Sequence, residues 1–270
     1  MAHLNSDPIG VFDSGIGGLT VVKTIMAKLP HENIIYFGDI ARLPYGTKSV
    51  TTIRKFAAQT VKFLISQKVK AIVIACNTIS AVAKDEVKNL AKNIPVIDVI
   101  SSGSKASAFS SKNNKIGVIA TPATINSDAY PTAIQKLNPK VQVFSQACSL
   151  FVPLIEEGFI DHVALELIAR EYLQPLIRQQ IDTLILGCTH YPLIKEVIAK
   201  IMGIHTNLID PAISTSEELV QTLSMMKMFN LDNIAPDYRF FVTEIVPKFQ
   251  SIGERFLKTQ INHLELVTLD

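Results

Sequence analysis

The sequence predicts an α/β fold built as two pseudo-symmetric halves, each with a mostly parallel sheet, facing one another across a cleft. Three observations carry this expectation. Two stretches end alike: Ala71-Ile72-Val73-Ile74-Ala75-Cys76-Asn77-Thr78 and Leu184-Ile185-Leu186-Gly187-Cys188-Thr189-His190 are apolar runs that stop at a small residue, a cysteine and then polar side chains. Apolar runs of this length bounded by turns mark strands buried on both faces of a parallel sheet. Strand patterns also alternate with helical ones along the chain, which implies βαβ units. Finally, Ile9-Gly10-Val11 and Ile116-Gly117-Val118 each open a strand that ends in a short polar side chain, and the cysteine strands follow them in the same order. A duplicated half explains both echoes.

Taken in order, strand 9–12 ends at Asp13-Ser14-Gly15-Ile16-Gly17-Gly18, after which Leu19, Val22, Met26 and Leu29 recur at helical spacing. Strand 34–37 runs into loop 38–46, and a helix over 49–67 places Ile53, Phe56, Val61 and Leu64 on one face. The Cys76 strand, a helix over 81–91 and a strand over 95–99 complete the first half. The polar stretch 101–114, with a helix through 106–109, separates the halves. Strand 116–121, a helix, strand 141–144, a helix over 163–179 and the Cys188 strand form the second half, closed by Ile209-Asp210-Pro211. The tail reads as helix 214–229, strand 239–246, helix 247–257 and strand 263–269. It has too little core to stand alone and is expected to pack onto the first half. The expected domains are therefore 1–98 with 210–270, and 99–209.

Composition narrows the function classes. With 48% hydrophobic and 19% charged residues the chain has ample core, and disorder is excluded. A net charge of +2 with scattered Lys and Arg gives no nucleic-acid footprint. Residues 1–8 hold no apolar signal segment, and no apolar run approaches the ~18 residues of a membrane span, so neither secretion nor a membrane is expected. Cys76, Cys148 and Cys188 are odd in number and form no C-x-x-C pair, which favours a reduced, cytoplasmic setting.

In open α/β sheets ligands bind beyond the carboxyl ends of the strands, so the residues there are the candidates for chemistry. Cys76 and Cys188 both sit at such an end, before an expected helix N-terminus whose partial positive charge favours thiolate. Cys148 reads as packing, as most isolated cysteines do. Asp13 and Ser14 end another strand. Gly15-Ile16-Gly17-Gly18 is not a G-x-G-x-x-G, so a tight turn with close helix–sheet packing is preferred to a dinucleotide site, and Asp13 is placed to help a neighbouring thiol move protons. Asn77, Thr78 and Thr189 suit either a small anion such as a carboxylate or the N-caps of two helices. His190 titrates near neutrality and is placed to orient or assist Cys188. Glu156 and Glu157 read equally as support for the site or as a solvated helix end. The histidines at 3, 31, 162, 205 and 263 show no ligand spacing, so no metal is expected.

Together with Leu43-Pro44-Tyr45-Gly46, Thr121-Pro122-Ala123-Thr124-Ile125, Phe151-Val152-Pro153-Leu154-Ile155-Glu156-Glu157-Gly158 and Gly187-Cys188-Thr189-His190-Tyr191-Pro192-Leu193, these motifs run in order across most of the chain. The chain resembles the bacterial glutamate racemases of the aspartate/glutamate racemase superfamily. The resemblance implies cofactor-independent, two-base racemisation of glutamate in the cleft between the halves, supplying D-glutamate for peptidoglycan. By position Cys76 and Cys188 are then the two proton donor/acceptors, Cys76 acting on D-glutamate and Cys188 on L-glutamate. Asp13 assists Cys76, and His190 with Glu156 serves the Cys188 side. Ser14, Tyr45, Gly46, Asn77, Thr78, Thr121 and Thr189, with Asp13 and His190, hold the substrate's amino and carboxylate groups. The resemblance also implies a homodimer and, as in some relatives, a peptidoglycan precursor as activator. Ser149 after Cys148 departs from the proline usual in the family. Three other readings stay open: an aspartate or hydantoin racemase, an amino-acid sensor closing two lobes on its ligand, and a redox pair of cysteines.

Overall fold

The computed structural model of the chain describes residues 5–245 and 249–269. Its two sheets repeat one order. In each half a central strand (β1, Ile9–Asp13; β5, Lys115–Ala120) lies between the next strand (β2, Ile34–Gly38; β6, Gln142–Ala147) and the cysteine strand (β3, Ala71–Ile74; β7, Thr183–Gly187). A short fourth strand (β4, Val96–Asp98; β8, Asn207–Ile209) flanks each cysteine strand. Two tail strands, β9 (Tyr238–Val242) and β10 (Leu264–Leu266), extend the first sheet outward from β2. Every strand pair described is parallel. Phe12 pairs with Ile74 and Ala120 with Gly187, so Asp13 and Cys76 emerge at one rim and Thr121 and Cys188 at the other.

The Ile-Gly-Val echo has the same physical cause in both halves. A Cβ built on Gly10 would meet Val69 at 3.0 Å and Leu64 at 3.3 Å. One built on Gly117 would collide with Ile181 and approach Leu184 at 3.0 Å and Leu176 at 3.4 Å. Leu64 and Leu176 end the helices that lead into the cysteine strands, α2 (Val50–Ser66) and α8 (Val163–Arg178). Each helix leaves through a residue with left-handed backbone, Lys68 (φ 58) and Gln180 (φ 57), placed just before Val69 and Ile181. Glycine on the central strand thus lets the helix end drop onto the sheet, twice.

Besides α2, three helices lie between strands of the first sheet or lead out of it: α1 (Leu19–Lys28), α3 (Asn77–Ala91) and α4 (Val99–Ala108). The second half adds α5 (Pro122–Asn126), α6 (Ala129–Leu137), α7 (Phe151–Glu156) and α9 (Lys195–Met202), and the tail adds α10 (Pro211–Met226) and α11 (Phe249–Leu257). Alternating residues of β1 serve two cores, as strand pleating requires. Ile9 and Val11 pack with Leu19, Val22 and Ile25 of α1 and Leu219 and Leu223 of α10. Phe12 packs on the other face with Ile53, Val61 and Leu64 of α2 and Val87 of α3. The first core continues into the second half through Ile155, Leu186 and Tyr191. No helix among the described residues is long and apolar enough to cross a membrane.

Several expected boundaries move. The stretch 101–114 is not a polar separator with a short helix. Asp98 accepts a hydrogen bond from Ser101 N at 2.9 Å and starts α4 directly after β4. The serines that made it read as a linker, Ser102, Ser104 and Ser107, are buried, on a helix that packs against α10. Helix α3 begins at Asn77, because Cys76 itself occupies its N-cap position. Helix α10 stops at Met226, where Lys227 turns left-handed (φ 55). Strand β9 ends at Val242, and the expected strand end at 246 and helix start at 247–248 lie outside the described residues. Strand β8 and helix α9 were not expected, α5 and α6 stand where one helix was expected, and α7 is the helix whose end Glu156 and Glu157 offered; β8, α5 and α7 are too short to carry a clear period.

Candidate active site

A cavity of about 520 Å³ opens between the carboxyl ends of the two sheets. Cys76 and Cys188 both line it, together with Ser14, Tyr45, Gly46, Asn77, Thr78, Thr121, Glu156, Thr189 and His190. Asp13 stands one residue behind Ser14 and is buried. Register explains the convergence: β1 and β3 end level, as do β5 and β7, so neighbouring strand ends deliver their polar residues to the same space.

The two cysteines have different surroundings. Cys76 is buried, its Sγ 3.4 Å from Ser14 Oγ, with the backbone N–H groups of Ser14 and Ile79 directed at it. The expectation of an easily formed thiolate is overturned here. Burial, then the charge of Asp13, push the Cys76 thiol up to about 12, and the Ser14 hydroxyl with the N–H groups of Ile79 and Ser14 recovers only part of that shift. Asp13 is itself raised by burial, against the pull of Gly15 N–H at 2.9 Å and of His190. Its Oδ2 has no hydrogen-bond partner among the described residues.

Cys188 does not start a helix. Strand β7 leads into a turn and then a 3-10 turn at Tyr191–Ile194, so a helix-end field is replaced by a side chain. His190 Nδ1 stands 3.8 Å from Cys188 Sγ, and its Nε2 is 2.9 Å from Glu156 Oε1. Burial opposes the imidazolium, but the hydrogen bonds and negative charges of Cys188 and Glu156 outweigh it, and His190 is pushed up to about 10. The His190 ring is thus held between the Cys188 sulfur and the Glu156 carboxylate.

Hydroxyl and amide side chains line the same cavity. Thr78 Oγ1 lies 3.3 Å from Thr121 Oγ1 and 3.3 Å from Thr124 Oγ1, tying α3 of one half to α5 of the other. Asn77 Oδ1 accepts from Tyr130 OH at 2.8 Å, which fixes its amide. Tyr45 lines the cavity, but its hydroxyl donates to Asp39, a buried carboxylate that also accepts from Arg42 and from Thr243 at 2.9 Å. That hydroxyl is committed to holding the loop.

A model of the Asp/Glu/hydantoin racemases matches residues 18–219. A glutamate racemase of Neisseria meningitidis serogroup A is 53% identical over 97% of both chains. The crystal structure of glutamate racemase from Francisella tularensis in complex with D-glutamate is 58% identical, covers 99% of both chains and superposes with a TM-score of 0.94. Glutamate racemase from Bacillus anthracis is 40% identical over 98% of both chains, with a TM-score of 0.93.

The chain belongs to the Asp/Glu/hydantoin racemase family. Within it the likeness is to the glutamate racemases, and the protein is accordingly an isomerase of amino acids.

Several parts of this racemase's site carry no sequence signal of their own. Thr20 Oγ1 donates to Thr189 O at 2.9 Å, so α1 of the first half holds the Cys188 turn of the second. Gly17 is needed for the same contact. A Cβ there would collide with Thr189 Oγ1 and stand 2.6 Å from His190 Nδ1. The glycine was read as a turn former, and its use in admitting a side chain from the other half shows only in three dimensions. Asp39, Thr124 and Tyr130 support residues picked from the sequence, but each is remote in the chain from what it supports.

Proposed function

We propose that the chain interconverts L- and D-glutamate by two-base proton transfer at Cα, with Cys76 and Cys188 acting on opposite faces. The observation that carries this is that both sulfurs line one cavity, each with its own acid–base partners: Ser14 and Asp13 for Cys76, His190 and Glu156 for Cys188. The two lobes taken to enclose the substrate are 1–98 with 210–270, and 99–209.

The surroundings of the two sulfurs suit one direction directly. Cys188, beside His190, removes the Cα proton of L-glutamate. Cys76, held as a thiol by burial and Asp13, delivers a proton to the opposite face, leaving D-glutamate. The reverse reaction starts from the complementary pair of protonation states. Charge that develops on the substrate carboxylate is met by the donors of Ser14, Asn77, Thr78 and Thr189, which line the cavity. D-glutamate as product assigns the enzyme to peptidoglycan supply, and the three free cysteines suit a reducing cytoplasm.

The test is incubation with L-glutamate in deuterium oxide, followed by circular dichroism and by mass spectrometry of the Cα hydrogen. Wild type should lose optical activity and gain one deuterium per inversion, while Cys76→Ser and Cys188→Ser should each lower kcat by at least about 100-fold. Deuteration that continues unabated in both variants would sink the two-cysteine assignment.

A further inference from the structure

We infer that Phe256, on the tail helix α11, is a positioning residue for His190, its ring forming the wall that sets the tilt of the imidazole between Cys188 and Glu156. The inference rests on the reading of His190 as the partner of Cys188.

The two hydrogen bonds of His190 leave one motion unrestrained. They anchor Nδ1 at Cys188 and Nε2 at Glu156, so the ring can still rock about the line joining the two nitrogens. Walls must stop that motion. Gly17 supplies one, since a Cβ there would lie 2.6 Å from His190 Nδ1 and Cε1. Phe256 supplies another: its ring centroid is 5.4 Å from that of the imidazole, with the planes at 88°. Edge-to-face rings at this separation attract one another and resist rotation. Phe256 is 1% exposed, so its ring cannot yield without moving α11.

Helix α11 is seated to make this contact. One turn before Phe256, a Cβ on Gly253 would meet Ile261 at 2.8 Å and Leu19 at 3.0 Å, so glycine allows the helix to lie close against the start of α1. Gly253 and Phe256 are three apart and share a face. Arg255 reaches Gly158, just beyond α7, where its Nη1 would lie 3.3 Å from a built Cβ. The same helix therefore touches the imidazole and the segment that carries Glu156. The charged and titratable groups facing the ring are Cys188 on its own turn, Glu156 at the end of α7 and Asp13 at the end of β1, with Arg255 of α11 beside Gly158. None of these is altered by changing Phe256, which makes the substitution a clean probe of ring placement.

The experiment compares Phe256→Leu, Phe256→Tyr and Phe249→Leu in the full chain. Phe249 is equally buried on the same helix and controls for lost core packing. Turnover is read as kcat and KM, and the His190 ring is titrated by NMR of 13C-labelled histidine, assigned with His190→Gln. Phe256→Leu should lower kcat about three- to tenfold with little change in KM. It should also move the His190 titration down toward the ordinary imidazole range, because a rocking ring loses its bonds to Cys188 and Glu156. Phe256→Tyr should restore most of both, and Phe249→Leu should lose thermal stability while keeping both. Should Phe256→Leu be insoluble, Phe256→Met of similar volume carries the same comparison. A His190 titration and kcat in Phe256→Leu that match those of Phe249→Leu would overturn the inference. Wild-type turnover in His190→Gln would instead overturn the role given to His190, a separate outcome.

Discussion

Burial and charge set the two thiols apart. Cys76, beside Asp13, is held protonated up to about 12, whereas Cys188 faces an imidazole that keeps its proton to about 10. The imidazole's folded value is raised above its ordinary 6.5, so His190 contributes stability that is complete below about 6.5 and lost as pH rises through about 10. The expected outcome is a His190 ring titration near 10 in wild type by histidine NMR, moved down by at least about one unit in Glu156→Gln, which removes a bond and a charge. Thermal stability should fall between about pH 6.5 and about pH 10. A wild-type midpoint near 6.5 would remove the imidazolium from the site. NMR is preferred to a rate profile because the amino group of the substrate also titrates in alkaline solution.

At the scale of the elements, the two helices that feed the cysteine strands end in the same way and carry the same strain. Lys68 and Gln180 are exposed residues with side chains held at φ 58 and φ 57, where only glycine is free of steric cost. Lys68→Gly and Gln180→Gly should each stabilise the protein by about 0.5–1 kcal/mol, the relief of left-handed strain exceeding the added chain entropy. Urea unfolding checks this through a higher midpoint at unchanged slope. A lower midpoint in both would mean that the side chains earn their place through contacts along the sheet edge. Helix α4 gives the opposite lesson about sequence. Its serines lowered the apparent helix signal, although they are buried on the packed helix and the N-cap at Asp98 starts it cleanly.

Across the whole molecule, distant segments are tied by a few buried groups. Lys70, at the entry to β3, is wholly buried and reaches Glu32 at 2.5 Å, Met228 O at 2.8 Å and the carbonyl of Asn5. Glu32 also accepts from Asn230 N at 2.9 Å. This cluster joins the N-terminal segment, the loop before β2 and the segment that carries the chain from α10 to β9. Lys70→Met should cost about 3–5 kcal/mol by urea unfolding, because it strands the Glu32 charge, and Lys70→Met with Glu32→Leu should recover much of the loss. A loss under about 1 kcal/mol in the single variant would show the charge to be solvated after local opening. The tail acts on the cavity at two more points, Thr243 on Asp39 and Phe256 on His190.

The α/β class, the duplicated sheets and the cavity-lining residues at strand ends were legible because they depend on local pattern, whereas Tyr45, Gly46 and Thr121 came only from the family resemblance. Buried parallel strands must be continuously apolar, and polar side chains collect where such strands stop. Cys76, Cys188, Asp13, Ser14 and His190 could thus be named from their places at strand ends. Tertiary structure decided what a linear pattern cannot hold: which side chains from one half occupy space left by the other. It gave Gly17 and Phe256 to His190, bound the Tyr45 hydroxyl to Asp39, and replaced a helix end at Cys188 with an imidazole. It also decided the proton affinity of Cys76, because the cost of burying charge depends on everything packed around the sulfur and not on its neighbours in the chain.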